Sequence, residues 1–594
     1  MEVSNNYYLL SSDFEKLYVY EKDTNKEIGD ILIIEGNKEL IESEKIESRF
    51  DFANYLNNKG VRYQIFPKTT TVKFNSFLRL NKMRKDFLSH FSSETSSLVS
   101  SIMFSRRDKS EIISNFSSLN MIRLCSSSGL YLSFLLRFIE RVLKRKFSDR
   151  ASRAMSFLFL LPYFVFVFPK FSIIRISLIF LLRFINDFLF NKRFSYLSVT
   201  GLSGIILLLF DFHLASQDGF IVSYSVTVFA HLLTNSFRHL KGIKKKIFVV
   251  VVLYLFVLPM EISYYGDFSI LEPLIQLFLF PILLVFLFIS LVCFYKIPAF
   301  FLVEKIRSPI NELLSFMNKI NVSFHLPKMN QFVILIYLVI LISFVYFASI
   351  KLKPLKKLSF VLMVSLMIFY IIPIKNSFTS EVSFINVGQG DSILIRDKHK
   401  TALIDTGGNL KYDLAEESLI PYLKSKRIYK IDYLIITHED YDHMGARDSL
   451  INGFKVKRYV NKHEMFPIQI GNITLNSLNK PLSLDDDNDR SLVISFSIPQ
   501  MTFLLMGDAS KKVEQRLILE NKNLSSDILK IGHHGSKTST SEDFINKVKP
   551  KEAVISVGKN KYGHPNSETL ELLKKYDIAI RRTDIEGTIT YYSM

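Results

Sequence analysis

Cysteine is nearly absent: the 594 residues contain two, Cys125 and Cys293, both inside apolar stretches. That excludes a disulfide framework and a metal site built on thiolates. Tryptophan is missing altogether, which composition alone does not explain. No removable leader is expected. The first 50 residues carry 12 Asp+Glu against 6 Lys+Arg, with no basic stretch, short apolar core and small-residue cleavage site in succession. Insertion into a membrane must therefore rest on internal segments. The last third also lacks a charge excess: from Asn376 onward there are 30 Lys+Arg and 29 Asp+Glu, so nearly all of the formal +19 belongs to residues 1–375. Cytoplasmic loops of membrane proteins collect Lys and Arg, and a polyanion passing through would favour the same excess; counting does not separate the two causes.

What is present is apolar and clumped. The chain is 48% hydrophobic with 53 Phe, and its length allows roughly three domains. Residues 1–75 alternate short β-type runs with charged turns, which predicts a small β domain. Residues 76–118 read as a basic, amphipathic linker or interfacial helix. Apolar segments follow at about 119–143, 155–168, 171–190, 195–214, 219–237, 247–262, 270–295, 332–350 and 358–374, which predicts a polytopic helical domain over 119–375. Arg123, Arg137, Arg175, Arg183, Asp211 and Asp218 fall in or beside these segments. Such charges either face a bundle interior or mark segment ends and snorkel. The basic stretches 238–246 and 351–357 and the charged segment 296–331 cannot all be cytoplasmic with one span between the last two. Charge therefore does not fix the side of the C-terminal domain, unless 298–320 holds a re-entrant or further crossing. After residue 375 the pattern changes to short strands, Gly turns and a few amphipathic helices, ample for one α/β domain over 376–594.

Chemistry concentrates where the strands of that last domain end. The apolar run Tyr433–Ile436 leads into Thr437-His438-Glu439-Asp440-Tyr441-Asp442-His443, four potential ligands in six positions. Two imidazoles and two carboxylates that converge on a sharp turn suit a divalent metal pair, whereas a lone His and Asp would be an ordinary polar loop. Asp405 closes another strand, Asp508 a third, and His533-His534-Gly535-Ser536 follows a further apolar step, with Gly563-His564-Pro565 later. Singly, each is a helix cap or a turn.

Together, His438-x-Asp440-x-Asp442-His443 with Asp405, Asp508 and His534 resembles the metallo-β-lactamase superfamily, whose fold is an αββα sandwich. More narrowly, Asn386-Val387-Gly388-Gln389-Gly390-Asp391-Ser392, Asn488-Asp489-Arg490-Ser491-Leu492-Val493, His533 to Ser536, Gly563-His564-Pro565 and Thr583-Asp584-x-x-Gly587-Thr588-Ile589 resemble the C-terminal domain of the ComEC family. Those are competence proteins that carry transforming DNA across the cell membrane. Phe50-Asp51-Phe52-Ala53-Asn54-Tyr55-Leu56 resembles that family's N-terminal OB-type domain. Gly201-Leu202, Asp218-Gly219-Phe220 with Ser223, and Leu258-Pro259-Met260 resemble its membrane core. Asn386 stands where the family usually has Asp.

The resemblance implies a multi-pass protein of the plasma membrane, and a cytoplasmic stretch 351–357 would carry the C-terminal domain outside the cell. It implies a channel for single-stranded DNA and a nuclease that degrades the other strand. The metal residues would be His438, Asp440, Asp442, His443, Asp508, His534 and His533, with Asp508 bridging and Asp405 supporting from behind. The metals would be two divalent ions, manganese favoured by the oxygen-rich set and zinc or magnesium as alternatives. Asp442, His564 and Lys530 would be catalytic, and Ser536, Asn488 and Ser491 would face the substrate. Expected partners are incoming double-stranded DNA, the transported single strand, the bilayer, a membrane DNA receptor and a cytoplasmic translocation ATPase. The acidity of the first 50 residues argues against a strong electrostatic grip on DNA by the N-terminal domain. A membrane-anchored hydrolase of another phosphodiester, and a DNA channel with a non-cleaving C-terminal domain, remain as alternatives.

Overall fold

A computed structural model describes residues 7–593 apart from 13–14, 23–24, 44, 105, 107–109, 127, 168–169, 238–241, 270, 296–297, 322, 373–377, 481–485 and 521–522. Part of the basic stretch 238–246 thus lies outside the described residues. The chain divides into two units, residues 1–42 with 53–366, and residues 43–52 with 367–594.

In the first unit, strands β1 (Tyr7–Ser11), β2 (Lys16–Tyr20), β3 (Ile31–Leu40) and β4 (Val61–Phe74) make a small sheet in the order β1-β2-β4-β3, with β2 and β4 parallel. The alternation of Leu17 and Val19 with outward residues puts Val19 and Tyr8 in its small core. Helices then account for each of the nine apolar segments: 128–143, Asp149–Val167, Phe171–Phe188, Tyr196–Phe210, Asp218–Ser236, Gly242–Tyr265, Glu272–Phe294, Gln331–Ser349 and Lys353–Ile371. Five of them, Asp149–Val167, Gly242–Ser263, Glu272–Phe294, Gln331–Ser349 and Lys353–Ile371, are long and apolar enough to cross a bilayer. Nine apolar segments therefore do not mean nine such crossings: the helix Tyr196–Phe210 is too short, and charged residues interrupt Phe171–Phe188. These five helices make the chain a multi-pass membrane protein.

The stretch 76–118 is not a separate linker. Leu98, Val99, Ile102, Met103 and Phe104 are buried in the same core as Leu279, Leu283 and Phe286 of Glu272–Phe294. The segment 298–320 forms one helix, Phe300–Ile320, whose Val303, Ile310 and Leu314 join that core. Three charges inside the helical region find partners in protein, as a low-dielectric surrounding demands. Arg153 pairs with Glu140 at 3.1 Å and with Asp187. Arg175 donates to the Ser223 carbonyl at 3.1 Å, and Asp211 meets Lys16 at 2.8 Å. A short antiparallel pair, β5 (Asp267–Ser269) and β6 (Ser323–His325), completes the unit.

The second unit is two sheets packed face to face. One has the order β11-β10-β9-β8-β7-β19: β7 is Ser380–Phe384, β8 Ile393–Asp397, β9 Lys400–Ile404, β10 Ile431–Ile435, β11 Val456–Val460 and β19 Ile589–Ser593. The other runs β12 to β18 in sequence: β12 Ile468–Ile470, β13 Ile473–Ser477, β14 Ile494–Ile498, β15 Met501–Leu505, β16 Ile528–Lys530, β17 Glu552–Ile555 and β18 Ala579–Arg582. Strand alternation sends Val382, Phe384, Ile393, Ile395, Phe496 and Phe503 between the sheets. The opposite faces bury Leu394, Leu403 and Leu434 against helical residues Leu419 and Leu423, and Leu504, Leu529 and Ala553 against Leu517, Phe544 and Leu573. Four layers follow in the order α, β, β, α, and the parallel pairs β9–β10 and β15–β16–β17 end their strands at one edge of the sandwich.

Candidate metal centre

At that edge the ends of β9, β10, β15 and β16 bring the polar residues together. Asp405 follows β9 with φ at 60°, in the left-handed region. It accepts from the Thr437 backbone at 2.8 Å, the Thr437 hydroxyl at 2.7 Å and His443 Nδ1 at 2.8 Å. These contacts turn His443 so that Nε2 points away from Asp405. The same logic orients the other two rings. His534 Nδ1 lies 2.8 Å from the Ser556 carbonyl, and His438 Nδ1 lies 3.1 Å from Thr437 Oγ1 and 3.2 Å from Ser491 Oγ. A ring nitrogen fixed to a protein acceptor leaves the other nitrogen as a metal donor, the usual arrangement behind metal-binding histidines.

The three free nitrogens meet carboxylates. His443 Nε2 lies 3.1 Å from Asp508 Oδ1, His534 Nε2 lies 3.1 Å from Asp442 Oδ2 and 3.5 Å from Asp508 Oδ2, and His438 Nε2 lies 3.5 Å from Asp440 Oδ2. Three overlapping groups result among the described residues, His438–His443–Asp508, Asp442–His443–His534 and Asp391–Asp405–His443, each with donor atoms close enough for one ion; in the third, His443 Nδ1 is already bonded to Asp405. His438 Nε2, His443 Nε2 and Asp508 Oδ1 are buried with no aligned hydrogen bond. Three buried orphan donors that converge are costly without a cation, so this donor set fits divalent metal ions.

Electrostatics agree. Burial raises the Asp442 carboxyl, but His534 and His443 outweigh it and hold it at about 2. Asp508 sits well below the carboxylate range despite its burial, because His443, His534 and Lys530 surround it. Burial would lower His443 and His534, yet the neighbouring carboxylates keep both raised, so without a metal both hold protons more tightly than an ordinary histidine. His438, buried next to His443, is pushed down to about 4. Burial and the neighbouring Asp442 and Asp508 raise Asp440.

Not every candidate points into the cluster. Lys530 is fully buried on β16; it forms an ion pair with Asp391 and donates to the Gly507 carbonyl at 3.0 Å. It is a cation beneath the site, not a surface group facing a phosphate. Ser491 is also buried, and its Oγ accepts from the Asp508 backbone at 3.0 Å. Ser536 is occupied by Thr538. Asn488 lies in a half-buried turn with Oδ1 unpartnered. His533 reaches Asp508 Oδ2 only at 4.0 Å, is partly exposed, and stands beside His564, their ring centroids 5.5 Å apart. His533 and His534 both have positive φ, 47° and 52°. Strain of about 1–3 kcal/mol per residue tends to gather at functional sites. Asp391 was missed by sequence reasoning: its signal was the Gly388-x-Gly390 turn, whose closeness to Asp442 no local pattern shows.

That closeness yields a prediction. Gly390 has φ at 132°, and a Cβ there would fall 2.3 Å from the Asp442 carbonyl oxygen. Gly390→Ala is expected to displace Asp442 and weaken Mn²⁺ binding by about tenfold or more. A Mn²⁺ titration of the full chain checks this.

Comparison with known proteins bears on both units. Residues 108–351 match the family model described as competence protein, and residues 385–469 match that of the metallo-beta-lactamase superfamily. ComE operon protein 3 of Bacillus subtilis is 28% identical over 81% of this chain and 69% of its own length. This chain is a ComEC-type competence protein with a C-terminal metallo-β-lactamase domain. Competence protein ComA of Neisseria gonorrhoeae is 29% identical over 35% of this competence protein and 31% of its own length. Among solved structures, the metallo-beta-lactamase fold protein YhfI of Bacillus subtilis matches 36% of this chain and 99% of its own, with 10% identity and a TM-score of 0.27.

Proposed function

We propose that this competence protein passes one strand of incoming DNA through its helical region and that its C-terminal domain hydrolyses the phosphodiester bonds of the other. The observation that carries the nuclease half is the buried Asp508 carboxylate with one oxygen toward His443 and the other toward His534, in a membrane protein of a competence family. His438, His443 and Asp508 would hold one ion, with Asp440 alongside, and Asp442, His534 and Asp508 the other. Manganese suits this mixed oxygen and imidazole set, with zinc and magnesium as alternatives. Divalent ions held there supply a nucleophile at neutral pH and Lewis-acid stabilisation of charge on the phosphate.

The chain's own residues do the rest. Asp405 keeps His443 in one tautomer, and Ser556 does so for His534. His564 stands at the rim beside His533. Burial and its histidine neighbours lower its pKa, so at neutral pH it offers one N–H to a leaving oxygen. Lys530 offsets the charge of Asp391 and Asp508 from below. The C-terminal domain would lie outside the cell, where the incoming duplex arrives. A membrane DNA receptor would deliver the duplex and a cytoplasmic ATPase would draw in the transported strand.

The test is cleavage of single- and double-stranded DNA by the full chain in detergent with Mn²⁺, Mg²⁺ or Zn²⁺. Cleavage that requires a divalent ion and disappears in Asp442→Ala is expected. No cleavage with any of them, or equal activity in Asp442→Ala, would contradict the nuclease. Loss of DNA uptake in a deletion strain is expected for the channel, and normal uptake would leave a membrane-anchored hydrolase.

A further inference from the structure

The segment between β3 and the helix Phe52–Asn57 belongs with the hydrolase unit although its neighbours in sequence do not. Residues 45–49 lie on the turn that precedes Asp391. The Glu47 backbone donates to the Asn386 carbonyl at 3.0 Å, and Asn386 Nδ2 donates to the Lys45 carbonyl at 3.1 Å. Ser418 Oγ donates to the Glu47 carbonyl at 2.7 Å, and Lys45 Nζ to the Ile585 carbonyl at 3.1 Å. Arg49 meets Glu417 at 3.1 Å and lies 3.6 Å over the Tyr412 ring. Ile46 packs against the core containing Val387 and Leu414. Lys45 and Ser48 both have positive φ, 48° and 56°, so the segment is bent to fit.

The turn beneath it connects to the metal centre. Asn386 Oδ1 accepts from the Gly388 backbone at 3.0 Å, Asp391 N donates to the Asp442 carbonyl at 3.1 Å, and the Asp391 carboxylate holds Lys530. Gly558 packs against the other side so closely that a Cβ there would lie 2.4 Å from the Gly388 carbonyl carbon. The turn 386–391 is thus wedged, with residues 45–47 covering one side and Asp442 resting on its far end. We propose that residues 45–49, supplied by the β3–helix connection of the N-terminal region, are a strap that positions Asp442 for metal binding by clamping the 386–391 turn.

Asn386 is the link, and its amide has a chemical consequence. An Asp there could still accept from Gly388 but could not donate to the Lys45 carbonyl, and would set two oxygens against each other. The strap contains two tryptic sites, Lys45 and Arg49. If metal and strap are coupled, each must stabilise the other, because linkage is reciprocal.

This inference rests on the metal reading, so its test measures metal binding, not cleavage. Full-length wild-type protein, Asn386→Asp and Ile46→Asp would be titrated with Mn²⁺ by electron paramagnetic resonance, and digested with trypsin with and without Mn²⁺. The expected result is an affinity loss of about tenfold or more in both variants, and Mn²⁺-dependent protection of Lys45 and Arg49 in the wild type alone. Asn386→Asp is nearly isosteric and guards against a folding defect in Ile46→Asp. Affinities within twofold of wild type in both variants, with protection independent of Mn²⁺, would overturn the strap and leave the metal centre standing. Failure of wild type to bind Mn²⁺ would overturn both.

Discussion

Asp508→Asn is expected to lower metal-dependent DNA cleavage by about a thousandfold or more. The carboxylate is 2% exposed, with Oδ1 toward His443 and Oδ2 toward His534. The amide keeps the shape but loses the negative charge and one of the two acceptors between the donor groups. A bound divalent ion supplies several kcal/mol of transition-state stabilisation, and each 1.36 kcal/mol is a factor of ten. Because Asp508 lies beneath the donors, kcat should fall far more than KM rises. Steady-state kinetics check this, and activity within tenfold of wild type would remove Asp508 from the centre. The pH dependence follows from the same charges. His443 and His534 have raised pKa values in the metal-free protein, and metal binding must displace their protons. Apparent Mn²⁺ affinity should therefore keep rising with pH above the ordinary histidine range, which titrations between about pH 6 and pH 9 measure.

The second large effect concerns stability. Glu381 on β7 is 1% exposed and compensates two cations, Arg396 at 2.7 Å and Lys426 at 2.7 Å. Glu381→Ala would remove the carboxylate that faces a buried guanidinium, and breaking a buried ion pair from one side costs about 3–5 kcal/mol. The hydrolase unit should then unfold roughly 6–20 °C lower, as read by calorimetry of the full chain in detergent. Burial raises the Glu381 carboxyl, but Lys426 and Arg396 outweigh it and bring it below the usual value. A depressed folded pKa means that the stabilisation is complete above the unfolded carboxyl value of about 4.3. It is lost as pH falls through the folded pKa. Glu381→Gln should lack that acid-dependent increment.

The sequence carries much of this site, and the reasons are local. His438, Asp442 and His443 crowd into six positions after one apolar run, so a single sharp turn brings them together. Asp508 is legible because Gly507 breaks the apolar run of its strand, which leaves a carboxylate at the sheet edge. Choosing His534 over His533 is not a matter of sequence: both follow β16, and two left-handed residues in succession send one ring inward and the other to the rim. Lys530 reads as a catalytic group, but β16 lies between β15 and β17 and all three of its residues are buried. Period-two alternation gives an α/β domain and the resemblance gives its αββα layers, whereas neither gives the strap, since its partners are more than 300 residues away. Nine apolar segments are visible, but length, charge and hydropathy leave five helices suited to crossing among the described residues.

The central claim is that His438, Asp442, His443, Asp508 and His534 hold divalent ions. Anomalous X-ray diffraction at the manganese edge, from crystals of the full chain grown with Mn²⁺, tests it directly. Two anomalous peaks flanking Asp508 are expected, one against His438 and one against Asp442 and His534, with the peak against His438 lost in His443→Ala. Absence of anomalous density at Asp508, or peaks only at surface carboxylates, would contradict it.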